Sequence, residues 1–238
     1  MTKLCIDLCS GLGGFSQAFV DAGWEVVRVD IEEKFKPTIC TDITKLSVPE
    51  IKVSLLKELI SYEDVIVLAS PPCQSNSIAN GRHWLKNAGQ YLRVAAACLD
   101  IIRDLTAERE IYFALENPKG RLRWFLGKPK ITIALKNFGY PTMKPTDIWA
   151  NFSLPLVEVI YPKDGVRHNF PFRTKKGEPK THQWSDALTP ADRSKMPYGL
   201  SQAILEAVDP DFKLAGESSS KAQSPTAPPH PLQRGSEN

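Results

Sequence analysis

Short β-branched and apolar runs punctuate the first half of the chain at Leu4 to Leu8, Glu25 to Val29, Val65 to Ala69 and Ile111 to Leu115. Runs of this length and chemistry predict strands. Between them, apolar residues recur at helical spacing in Phe15 to Ala22, Pro49 to Ser61 and Tyr91 to Leu105. The alternation predicts an α/β fold, a doubly wound parallel sheet with helices on both faces. A further helix is predicted over Leu200 to Val208, packing back on the sheet.

In such sheets ligands gather beyond the carboxyl ends of the strands, where the strand order reverses. Those ends carry "DLCSGLGG", Asp30, "SPPCQ" and "ENPKG", so four polar or reactive loops are expected to converge on one edge. The organisation read from the pattern is an alternating domain over residues 1–150, a small irregular region over 151–190, a returning helix over 191–212 and a tail over 213–238. The irregular region is rich in proline, aromatics and cations. Arg167, Arg173, Lys175 and Lys176 lie there with Tyr161, Phe170 and Phe172 interleaved. That composition suits phosphate contacts, and it equally suits a solvated loop. The tail, with almost no large apolar residues, is expected to be disordered.

At 238 residues and 42% hydrophobic side chains the chain is long enough to bury a full core. No apolar stretch approaches the roughly 20 residues of a membrane span, and the first residues lack the pattern of a signal peptide. A cytoplasmic protein is expected, in a bacterial, archaeal or virus-infected cell, acting as a monomer. Five cysteines without a CxxC pair argue against a disulfide framework and against a metal site. A net charge of +3 is too small to indicate nucleic acid by itself.

Two stretches carry candidate chemistry. In "DLCSGLGGFSQAF" a strand, a glycine-rich turn and a helix start follow one another, which suits close approach of a ligand to backbone N–H groups. Asp30, ending the second strand, stands where doubly wound folds bind ribose hydroxyls. Asp42 offers a further carboxylate, although acids of this kind also cap helices. In "VIVLASPPCQSNS" two prolines stop the strand and direct the chain out of the sheet. Cys73 is thereby presented at a loop start, a better place for a nucleophile than for core filling. Glu116, ending the strand "IYFALE", is costly there unless hydrogen-bonded or functional. The pair suggests covalent attack on a ring held by the acid, with loop amides expected to lower the thiol pKa.

These stretches together resemble the DNA (cytosine-5) methyltransferases. "DLCSGLGGFSQAF" is similar to their cofactor loop, "SPPCQSNS" to their Pro-Cys-Gln nucleophile loop and "LENP" to their Glu-Asn-Val motif. The likeness runs from Met1 to about Val208, and the short irregular region resembles compact, phage-like or mobile-element-like members. It implies a Rossmann-like methyltransferase sheet with a small target-recognition region. It also implies S-adenosyl-L-methionine as cofactor, double-stranded DNA as substrate, a flipped cytosine attacked at C6 by Cys73, and Glu116 on the ring N3. Cofactor contacts are then expected from Ser10, Gly11, Leu12, Gly13, Gly14, Phe15, Asp30, Ile31, Asp42, Ile43, Pro71 and Ser201. DNA contacts are expected from Gln74, Lys144, Arg167, Arg173, Lys175 and Lys176.

The chain also departs from that family. Cys9 stands where members commonly have phenylalanine, and the Gln-x-Arg-x-Arg strand is absent. Arg121, Arg123 and Lys144 are the candidates for its cationic role. "RSKMPYGLSQAILEAV" resembles the closing motif with its usual Gly-Asn-Ser-Val replaced. Three other readings stay open: methylation of an exocyclic nitrogen, methylation of RNA, and a catalytically silent DNA-binding homologue. The recognised base sequence and any cognate nuclease are not written in the motifs.

Overall fold

A computed structural model of the protein describes residues 2–55, 59–74, 88–155 and 195–212. Seven strands form one sheet in the order β3-β2-β1-β4-β5-β7-β6. They are β1 Leu4–Leu8, β2 Glu25–Asp30, β3 Ile39–Cys40, β4 Val65–Ala69, β5 Tyr112–Pro118, β6 Ile131–Ala134 and β7 Pro145–Ala150. From β3 to β5 every neighbouring pair is parallel. The order turns between β1 and β4, the switch point at which such sheets hold ligands.

The wholly parallel sheet read from the pattern is corrected at one side, where β7 runs antiparallel between β5 and β6. Neither β6 nor β7 has the apolar run of a buried parallel strand, because β7, "PTDIWA", is broken by Pro145 and Asp147. Pairing with β7 also extends β5 past its expected end. Glu116 therefore lies within the strand, opposite Ile148.

Helices cover both faces. On one face α1 (Gln17–Asp21) and the last helix, α5 (Tyr198–Val208), enclose Phe15, Phe19, Leu200, Ile204 and Leu205 against Cys5, Ile66 and Ala114. On the other, α2 (Val48–Leu55) and α3 (Ala88–Glu108) cover Leu4, Ile6, Val65, Val67 and Leu115. A short helix, α4 (Arg123–Leu126), follows β5. The helix expected over Pro49 to Ser61 stops at Leu55, with a separate 3-10 turn at Leu59–Ser61. β1 and β4 are buried throughout, so both faces of the sheet are dry at its centre. The basic segment with Arg167, Arg173, Lys175 and Lys176, and the tail over 213–238, lie outside the described residues.

Candidate active site

The glycine turn is built from β1 and β2 together. Ser10 N donates to Val29 O at 3.0 Å, and Gly13 N closes a turn on Ser10 O at 2.8 Å. The Asp30 carboxylate accepts from Gly11 N at 2.8 Å and from Glu32 N at 2.9 Å. Asp30 thus fastens the turn to β2. The three glycines serve different ends. Gly11, at φ +52°, has open space where a side chain would stand, while a Cβ at Gly13 would strike the Arg28 guanidinium and one at Gly14 would lie 2.6 Å from Met196 O. Only the Gly11 position leaves room for a ligand. Ser10 Oγ is buried without a hydrogen-bond partner, and Leu12 and Ile31 expose apolar side chains beside it and Asp30.

Beneath the turn lies a carboxyl that sequence reasoning missed. Asp7 is fully buried, accepts from Ser16 Oγ at 2.7 Å, and leaves Oδ1 without a partner. Burial raises its pKa to about 7 against the opposing pull of Ser16 and Arg28. Arg28 Nε in turn donates to Ser16 Oγ at 3.3 Å. A charged side chain at the centre of an apolar strand was the available signal.

Several residues expected at the cofactor also have structural roles. Phe15 and Ile43 bury their side chains in the two cores. Ser201 is fully buried, donating to Phe15 O at 2.7 Å and accepting from Ala18 N at 3.1 Å. Its hydroxyl pins α5 to α1, so no free donor remains for a cofactor. Asp42 accepts from Thr44 N at 3.0 Å and Thr44 Oγ1 at 2.8 Å, capping a short 3-10 turn. Those bonds hold its carboxyl below the usual range. Cys9, at φ +58°, faces Cys98 of α3 with 3.9 Å between the sulfurs. The residue in the place of the family's phenylalanine therefore ties the turn to α3. All five cysteines are free thiols.

The second half of the site comes from β4 and β5. Pro71 and Pro72 carry the chain out of the sheet, and Asn117 Nδ2 donates to Pro71 O at 2.8 Å. Asn117 is fully buried directly behind Glu116, which is 4% exposed. Cys73 and Glu116 meet at this corner. Burial raises the Cys73 pKa, the Glu116 charge raises it further, and Lys144 opposes both. The expected lowering of the thiol pKa is thus reversed, because desolvation and a neighbouring carboxylate outweigh loop amides. Burial likewise raises the Glu116 pKa, with Lys144 and Ser70 opposing. Glu116 Oε1 and Asn117 Oδ1 are buried without hydrogen-bond partners, and Ser70 Oγ lies buried beside the acid. Such a cluster is expensive unless something polar fills it.

The cationic candidates separate. Lys144, at φ +29° and with Nζ 5.0 Å from the Tyr140 ring centroid, is the cation that acts on both Cys73 and Glu116. Left-handed backbone at a lysine is strained, as is common where a side chain must be aimed. Arg123 instead forms an ion pair with the buried Asp147 and donates to Thr132 Oγ1 at 2.6 Å. It serves as a strut between α4 and the antiparallel strands. Arg121 sits in the turn that opens α4, where its carbonyl accepts from Trp124 N at 2.9 Å. Gln74 is exposed just past Cys73.

The model of the C-5 cytosine-specific DNA methylase family matches residues 4–143, more than half of the chain, and spans the glycine turn, Cys73 and Glu116. The chain belongs to that family. Among curated methylases it is 27% identical over 190 residues to the type II methyltransferase M1.HphI of Haemophilus parahaemolyticus, covering 72% of this chain and 49% of that one. It is 30% identical over 121 residues to the type II methyltransferase M.HgiGI of Herpetosiphon aurantiacus, covering 47% and 87%. This methylase-family chain spans about half the length of the first of these relatives. Among solved structures, the Entamoeba histolytica methyltransferase EhMeth aligns with a TM-score of 0.42 at 16% identity, over 63% of this chain and 53% of that one. Among the described residues of this family member, no helix is long and apolar enough to cross a membrane, and no three metal-binding side chains cluster.

Proposed function

We propose that the chain methylates C5 of cytosine in double-stranded DNA, with Cys73 as nucleophile and Glu116 as the group on the ring N3. The observation that carries the reading is the corner where the partly buried Cys73 feels both the charge of the buried Glu116 and that of Lys144. The Glu116 charge opposes ionisation of the thiol, and Lys144 favours the charged form of both groups.

C5 of cytosine is a weak nucleophile until addition at C6 makes the ring enamine-like. Attack forms the Sγ–C6 bond and moves the C5=C6 π electrons onto C5, while Glu116 supplies the proton at N3. The unpartnered Oε1 of Glu116 is placed for that exchange, and the Asn117 and Ser70 oxygens beside it suit the amino edge of a base. Once those C5 electrons have taken the methyl group that the donor would supply, leaving it a neutral thioether, loss of the C5 proton to solvent breaks the Sγ–C6 bond, restores the C5=C6 double bond, and N3 returns its proton to Glu116. Reaching these atoms requires the base to leave the helix stack.

The family implies a methyl donor, and the residues fit S-adenosyl-L-methionine. Asp30 and the space before Gly11 suit the ribose, Leu12 and Ile31 the adenine, and the unpartnered Ser10 hydroxyl the amino-acid end. When bound, the donor supplies the electrophilic methyl group. Gln74, Lys144 and the segment with Arg167, Arg173, Lys175 and Lys176 are the proposed DNA contacts.

The test is incubation with methyl-labelled S-adenosyl-L-methionine and duplex DNA of mixed sequence, followed by nucleoside analysis. Label in 5-methylcytosine is expected; label in an N-methylated base, or none, overturns the reading. Duplexes carrying 5-fluorocytosine should trap the protein covalently. An active enzyme that leaves no adduct would remove the Cys73 addition step.

A further inference from the structure

Two large aromatic side chains stand in solvent on α4. Trp124 is 69% exposed and Phe125 55%. Their platform is rigid, because Arg123 is paired with buried Asp147, Gly127 O accepts from Trp149 Nε1 at 3.2 Å, and Leu122 is buried in the core. Single exposed aromatics are ordinary. An adjacent pair fixed on a four-residue helix by a buried ion pair needs a reason.

The surrounding charge supplies one. From Asn117 to Thr146 the sequence carries lysine or arginine at seven positions and neither aspartate nor glutamate. Lys128 and Lys130 follow α4 directly and are exposed. The place matters equally. Trp124 follows Glu116 by eight residues, so it lies within roughly 28 Å of it even for fully extended chain. One turn of duplex is about 34 Å. The surface therefore lies less than one duplex turn from the acid.

We infer that Trp124 and Phe125, with Lys128 and Lys130, form a contact surface for the duplex flanking the target base, separate from the segment over 151–190. The inference rests on the methylation reading for its partner. The cations meet phosphate oxygens, and the aromatic faces pack on the sugar edges of the groove wall. A second copy of the chain is a poorer occupant. The aromatics together offer a few hundred Å² at most, against the ~800 Å² per partner of a stable interface, and the cationic rims of two copies would repel.

The test measures binding of a labelled duplex of about 30 base pairs at several salt concentrations, using the full chain. Trp124→Ala with Phe125→Ala is expected to weaken binding about tenfold, the loss typical of one aromatic anchor, while affinity for S-adenosyl-L-methionine stays the same. Lys128→Gln with Lys130→Gln should flatten the salt dependence by a slope of up to ~1.8. Both positions are exposed, so this variant remains informative should the aromatic variant fail to fold. Unchanged affinity and slope in folded variants overturn the surface, as does a wild type that binds no duplex. So does a wild-type dimer, seen by light scattering, that the aromatic variant breaks without effect on DNA. Duplex binding that responds as expected in a protein without methyl transfer keeps the surface and removes the methylation reading instead.

Discussion

Asn117 donates its side-chain amide to the Pro71 carbonyl at 2.8 Å, and this bond joins the strand that carries Glu116 to the loop that carries Cys73. The two reacting groups come from separate strands, so their mutual position depends on such cross-links. Asn117→Ala should lower kcat far more than it weakens donor binding, because Pro71 O loses its partner and the Cys73 loop is released. Steady-state kinetics with calorimetry of the donor check this. A variant with unchanged kcat would make the bond merely structural.

Cys73→Ala should abolish methyl transfer and leave melting temperature close to wild type, since the side chain is small and only partly buried. Glu116→Gln should reduce turnover by orders of magnitude with little loss of DNA affinity. Lys144 pulls both pKa values down. Lys144→Met should therefore move the rising limb of the pH–rate profile to higher pH. A shift to lower pH would contradict the assignment.

Asp7 makes stability pH-dependent. Its folded-state pKa is about 7, above the ~3.9 of an unfolded chain. The folded state therefore binds the proton more tightly. The associated stability is fully present below about pH 4 and is lost as pH rises through 7, by up to about 4 kcal/mol. Asp7→Asn should flatten the fall in melting temperature across that range, as thermal denaturation from pH 4 to 8 will register.

Ser201→Ala should cost about 1–3 kcal/mol by leaving the buried Ala18 N–H without an acceptor. Donor affinity measured on the folded fraction should be nearly unchanged. A selective loss of donor affinity would return Ser201 to the cofactor site.

Gly14→Ala and Gly11→Ala separate packing from ligand space. At Gly14 the new Cβ meets backbone, Met196 O at 2.6 Å, so denaturant unfolding should show a large loss of stability. At Gly11 it meets nothing within 4 Å at φ +52°, and strain alone should cost about 1 kcal/mol. Donor binding should fall more than stability does.

The buried parallel strands were legible because β1 and β4 are apolar at every core position except Asp7. Cys73 and Glu116 were legible because prolines and an acid interrupt such runs. The antiparallel pair was not, since Asp147 in β7 looks like a surface residue until Arg123 arrives from α4 to neutralise it. The same pairing hid the division of labour among the cations. A guanidinium and an ammonium are equally plausible in a string of letters, and only the fold shows that one is paired on the strand while the other lies over the Tyr140 ring and acts on the thiol and the acid. The packing roles of Ser201 and Gly14 were hidden in another way, because small residues suit both ligand approach and tight packing.

The contact between Gly14 and the Met196 carbonyl, with the Ser201 bonds to Phe15 and Ala18, sets a timetable for synthesis. The glycine turn leaves the ribosome well before the residues that wedge it into shape, which are made more than 180 positions later. At 5–20 residues per second that delay is roughly 10–40 s. Throughout it the nascent chain holds an unfinished turn, which matures only when the last helix arrives.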